Sequence, residues 1–126
     1  MTSSALLAQR ARLAVVALFI AGIFVQVYLA GRGAFGASTY SAHKDFGNIL
    51  HFVPGVVLIL TLVSRTTRNR VDVILAILLI VLFEVQFALG DLKHPDAGAF
   101  HPVNALLLLG VAVTLFARDL RVVRTN

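Results

Sequence analysis

Residues 13–31 read LAVVALFIAGIFVQVYLAG, nineteen positions without one charge. Three further apolar blocks follow, from Phe46 to Val63, from Val73 to Gly90, which holds the single acid Glu84, and from Pro102 to Ala117. As helices rising 1.5 Å per residue, the four blocks reach roughly 24–29 Å, close to a hydrocarbon core of about 30 Å. Unpaired backbone groups are prohibitively costly in lipid, so each block is expected to be an α-helix. Extended by a turn at their ends, the predicted helices cover approximately 13–31, 44–64, 71–90 and 101–118. The connecting segments of fourteen, nine and eleven residues are short. They predict an all-α, up-down-up-down four-helix bundle filling residues 1–126 as one transmembrane domain. Pro54 is expected to bend the second helix, and Ser41 to cap its start.

Composition agrees with this architecture. Of 126 residues, 59% are hydrophobic and 13% charged, about half the charge that a soluble domain carries on its surface. The formal charge of +5 does not indicate a nucleic-acid partner, because the basic residues cluster beside the apolar blocks. Arg10, Arg12, Arg65, Arg68, Arg70, Arg118, Arg121 and Arg124 fall on one side, and Arg32, Lys44 and Lys93 on the other. Eight against three in short segments places both termini on the cytoplasmic side. The first helix, with arginines at its start, is expected to be retained as a signal anchor. The absence of cysteine excludes disulfides, thiolate metal sites and covalent c-type haem attachment.

The two halves of the chain share an order of features. Val25-Gln26-Val27-Tyr28-Leu29-Ala30-Gly31 closes the first helix and Val85-Gln86-Phe87-Ala88-Leu89-Gly90 closes the third. His43 follows Gln26 by seventeen residues and His101 follows Gln86 by fifteen, with Gly47 or Ala105 four residues beyond each histidine. A duplicated helix pair places the two histidines at equivalent points of helices 2 and 4, which can lie diagonally across a bundle. Two imidazoles facing one another, each with a small residue one turn below, suit the two axial positions of a haem iron. Arg32, Lys44 and Lys93 at the same rim suit its propionates. The expected cofactor is therefore one b-type haem near the outer face, used for one-electron transfer with a redox partner protein or a quinone. Homo-oligomerisation remains open.

Two other ionisable groups lie within apolar blocks. His51 sits about 12 Å further along its helix than His43 and is an alternative partner for His101. Glu84 is expected to face the bundle interior near His51 or Gln26, with Gln86 also at that depth, because an acid exposed to hydrocarbon is costly. Three readings stay open for these residues: helix-gluing hydrogen bonds, a metal or proton site completed by His43 or His101, and an accessory subunit without chemistry. His94, before Pro95, reads as a loop residue.

In these features the chain resembles one four-helix half of the haem A synthases, over roughly residues 13–117. The matching pieces are Val25-Gln26 with Leu29-Ala30-Gly31 and then His43, and Val85-Gln86 with Leu89-Gly90 and then His101. It also resembles an uncharacterised family of small four-helix bacterial membrane proteins. The resemblance implies haem binding on the outer side of a bacterial cytoplasmic membrane, with the histidines as ligands. It does not extend to oxidation of a haem methyl group: Tyr40-Ser41-Ala42-His43-Lys44 stands where those enzymes have an acid-x-x-His-Arg pattern.

Overall fold

The computed structural model describes residues 3–64, 70–91 and 95–125, and those residues are helical apart from short turns. The elements are α1 (Ser3–Ala34), α2 (Ser41–Leu50), α3 (Val53–Val63), α4 (Arg70–Asp91), the single turn α5 (Pro95–Gly98) and α6 (Phe100–Arg124). Four stretches, Ser3–Ala34, Ser41–Val63, Arg70–Asp91 and Phe100–Arg124, are long and apolar enough to cross a membrane. Arg65 and Arg68 of the second connection, and Lys93 and His94 of the third, lie outside the described residues.

The second span is divided where its proline predicts. α2 ends at Leu50, and Pro54 stands in the first turn of α3. Proline has no N–H to return to the carbonyl four residues earlier, so the helix is interrupted at His51 and Phe52. Ser41 does not cap α2. Tyr40 holds the cap position without a side-chain bond, and the Ser41 hydroxyl lies 2.8 Å from that of Thr39. Gly36, at φ 72°, takes the left-handed backbone turn that lets the chain reverse after α1.

α1 packs on α6 and on the α2–α3 span, and α4 packs on α6 and α3. The helix backbones of the other two pairings do not approach one another closely, so α1 and α4 form one diagonal of the bundle and the α2–α3 span and α6 the other. Consecutive spans run in opposite directions. The start of α1 meets the end of α6, while the end of α1 meets the start of α2. The middle of the bundle is filled by Val16, Phe19, Val57, Ala76, Leu79, Phe83, Leu108 and Ala112. The Phe19 and Phe83 rings meet across the first diagonal, 5.9 Å between centroids.

Polarity is distributed inside out. Ile59, Ile74, Leu106 and Phe24 are among many large apolar side chains on the surface, whereas Gln9, Arg12, Thr61, Asp72, Asn104 and Asp119 are buried. A soluble monomer does not expose apolar surface on that scale; a bundle surrounded by lipid does, with its polar groups used between helices. α1 starts ten residues before its apolar block, and this extension brings Gln9 and Arg12 into the interior. Arg12 is fully buried and touches all three other spans. Its Nε donates to Asp119 Oδ2 at 3.0 Å and its Nη1 to Thr61 Oγ1 at 2.9 Å. Nη2 donates to Asp119 Oδ1 and, at 3.4 Å, to Asp72 Oδ2. Gln9 Nε2 donates to Asp119 at 2.8 Å and Arg118 Nε to Asp72 at 2.5 Å. Two arginines thus balance two aspartates.

Removing one member of a buried charge network leaves its partners uncompensated, at a cost of about 3–5 kcal/mol. Arg12→Ala is expected to lower stability by that order in a denaturant titration followed by circular dichroism. Arg118→Ala, at a partly exposed position, should cost less. An Arg12→Ala protein as stable as the parent would show that the network does not hold the bundle.

Candidate functional site

The end of the bundle opposite Arg12 carries the histidine pair. His43 lies in the first turn of α2 and His101 in the first turn of α6, on the diagonal whose helix backbones stay apart. Their ring centroids are 6.0 Å apart, with 64° between the ring planes. Both rings are half-buried, and the Tyr40 ring lies edge-on to His43 with 6.4 Å between centroids.

Each ring is held in the same way. His43 Nδ1 lies 3.1 Å from the carbonyl oxygen of Gln26, and His101 Nδ1 lies 3.1 Å from that of Gln86. A carbonyl only accepts, so in both rings Nδ1 carries the proton and donates it. In the neutral imidazole, Nε2 then carries the lone pair. Anchoring one ring nitrogen on a backbone carbonyl while the other is left to bind is the usual arrangement of metal-ligating histidines. The two glutamines and two histidines therefore correspond in contact as well as in order along the chain.

The separation suits one shared metal atom. Two metal–nitrogen bonds of about 2 Å each, with each nitrogen about 1 Å from its ring centre, put the centroids roughly 6 Å apart. Two axial nitrogens are what a b-type haem requires of a protein, and on donor type, tautomer and spacing the residues fit that group. Arg32 in the last turn of α1 and Lys44 in the first turn of α2 are exposed at this end, where carboxylates of a bound group can reach them.

The halves differ below the histidines. The space left by the missing Gly47 side chain is not open: a Cβ there would meet Gln26 Nε2 at 2.7 Å. Gly47 therefore accommodates the Gln26 amide, not a macrocycle. Gln26 Oε1 is buried without a partner. In the second half Gln86 Oε1 accepts from Asn104 Nδ2 at 2.6 Å, and that amide also donates to the Leu82 carbonyl at 2.8 Å. Nothing in the apolar pattern of α6 singled out Asn104, although it lies one turn from His101. Gly90 has a different use. A Cβ there would stand 3.3 Å from His101 Cε1, so the glycine gives the ring its place against α4.

His51 occupies the break between α2 and α3, among the rings of Phe52, Phe83 and Phe87 at centroid distances of 5.8, 5.8 and 4.8 Å. Its Nε2 lies 3.2 Å from Glu84 Oε1. Glu84 is thus beside His51 as expected, but it does not face the interior: its side chain is 59% exposed on the perimeter of the bundle. The reason is geometric. Ala76, Leu79 and Phe83 direct the face of α4 that they share into the core, and Glu84 lies off that face. Among the described residues, no group of three or more histidine, aspartate or glutamate side chains is assembled to hold a metal ion. The expectation that His43 or His101 completes a metal site with His51 and Glu84 is therefore not met.

The cluster that sequence reasoning missed is the one at the other end. Arg12, Asp72 and Asp119 flank the apolar blocks, and each arginine there reads as an orientation signal. Asp72 near the start of the third span and Asp119 near the end of the fourth, with an arginine near the start of the first, are the available sign.

A family described as a family of unknown function (DUF6220) matches residues 26–91, just over half of the chain. The matched segment includes Gln26, His43, His51, Glu84 and Gln86, and ends before His101. No curated protein and no solved structure matches. The hydrogen-bond pattern predicts that nitrogen-15 spectra of the metal-free protein show His43 and His101 as the Nδ1-protonated tautomer. Nε2-protonated rings would contradict the shared anchoring.

Proposed function

We propose that this chain, which belongs to the family of unknown function DUF6220, is a multi-pass protein of the bacterial cytoplasmic membrane that holds one b-type haem between His43 and His101. The observation that carries the reading is the matched pair of rings, 6.0 Å apart, each donating Nδ1–H to the carbonyl of the glutamine near the end of the preceding span. A haem with two histidine ligands supplies one-electron transfer, its axial positions both being filled. The protein's part is to fix the ligands. The Gln26 and Gln86 carbonyls set tautomer and ring orientation and raise the basicity of Nε2. Arg32 and Lys44, with Lys93 from the segment outside the described residues, provide cations for propionates.

The orientation of the reading, with both termini inside and the histidines toward the outer face, rests on the arginine distribution. Arg12 and Arg118 are committed to the buried network, which removes two of the eight inner basic residues from the flanks. Six remain against three, and because the rule counts basic residues rather than net charge, the neighbouring aspartates do not alter it.

The test is an absorption spectrum of the detergent-purified protein, oxidised and then reduced. A low-spin haem spectrum is expected, lost in His43→Ala and in His101→Ala. His51→Ala is expected to keep the cofactor and shift its potential. Loss of haem in His51→Ala with retention in His43→Ala would assign the second ligand to His51. A protein without a haem spectrum after expression with ample haem would overturn the proposal.

A further inference from the structure

The buried network fixes more than the packing of the spans. Arg10, Arg70 and Arg121 each stand two residues from one of its members: from Arg12 on α1, Asp72 on α4 and Asp119 on α6. Two residues of helix turn a side chain by about 200°. Arg12, Asp72 and Asp119 are buried against one another, so the three neighbouring arginines point out of the bundle, and each is exposed. They also share a level. α1 and α4 leave this end of the bundle and α6 arrives at it, so each arginine lies about 3 Å beyond the network, on the side away from the histidines.

Their charge is not met within the bundle. Asp72 and Asp119 are the acids at this end, and Arg12 and Arg118 take up both. No acid among the described residues pairs with Arg10, Arg70 or Arg121. The helix dipole accounts for Arg121 and Arg124 in the last turn of α6, but not for Arg70, which opens α4 at the end where a helix disfavours a cation. Topology asks only for basic residues of either kind. At this end all eight are arginine, while both lysines, Lys44 and Lys93, stand at the other. Arginine differs from lysine in its planar fork of donors, which matches two oxygens of a phosphate at once.

Depth identifies the phosphate. Arg10 and Arg70 stand three residues before the apolar blocks that open at Leu13 and Val73, and Arg121 four residues after the block that closes at Ala117. That is about 5 Å past the apolar blocks, within the headgroup layer of a bilayer that these spans cross. α6 packs against both α1 and α4, so the three arginines follow one another around one flank of the bundle. We propose that Arg10, Arg70 and Arg121, with Arg124 one turn beyond, form a belt that binds the phosphate groups of acidic phospholipids. A zwitterionic headgroup offers the same phosphate but carries its own ammonium group, so the belt favours lipids with net negative charge. This inference needs the membrane spans and not the haem.

Bound lipid is counted by native mass spectrometry of the full-length detergent-solubilised protein, equilibrated with equal amounts of phosphatidylglycerol and phosphatidylcholine. Phosphatidylglycerol is expected to be retained over phosphatidylcholine about fivefold or more, the preference that one basic residue at an acidic lipid surface provides. Replacing Arg10, Arg70, Arg121 and Arg124 together with Gln should abolish that preference. The double variant Arg121→Gln with Arg124→Gln, both on the span between the other two, serves if the fourfold variant loses helical content, and should lower the preference about twofold or more. Equal retention of the two lipids by the parent overturns the proposal. So does a preference that the glutamine variants leave undiminished, since the selecting charges then lie elsewhere. A protein that selects phosphatidylglycerol through these arginines but never shows a haem spectrum keeps the belt and overturns the haem reading alone.

Discussion

Arg12 is the contact through which all four spans are related. A fully buried guanidinium has fixed, planar donor directions, so its partners on α3, α4 and α6 must arrive at particular heights and rotations. Apolar packing between helices in lipid is far less particular, because lipid tails compete for the same surface. Much of the register of this bundle therefore has to come from polar contacts. At the Arg12 end the charges are balanced by Asp72 and Asp119. At the other end the carbonyls of Gln26 and Gln86 receive the two imidazoles.

Between these ends the core cluster is apolar, with Phe19 and Phe83 at its centre. The two polar layers are thus separated by a dry segment, and they differ in kind. In the arginine layer each strong charge meets an opposite one, while Gln9 Oε1 is buried without a partner. The histidine layer sets two Nδ1-anchored rings beside one another, 6.0 Å between centroids. The His51–Glu84 pair differs from both, since Glu84 lies exposed on the perimeter.

Much of this was legible in the residues. Four apolar blocks and short connections specify the bundle, and Pro54 specifies the break in the second span. The order Gln26, His43, Gln86, His101 places the two histidines at equivalent positions of their spans, and their rings meet there. Three things were not legible. Apolar blocks end where charges begin, so α1 was read without Gln9 and Arg12, although charge pairing carries the helix ten residues further. A glycine near a histidine reads as room for a ligand, whereas Gly47 takes the Gln26 amide. The inward orientation expected of Glu84 assumed that depth decides exposure; rotation of α4 about Ala76, Leu79 and Phe83 decides it instead.

The central claim is that His43 and His101 share one metal atom. Electron paramagnetic resonance of the oxidised protein, with histidine nitrogens labelled with nitrogen-15, reports the ligands directly. The account predicts a low-spin ferric signal with hyperfine coupling to two imidazole nitrogens, one lost when either residue is replaced by a non-ligating side chain. A signal with one coupled histidine, or no iron signal in protein that is otherwise folded, would contradict it.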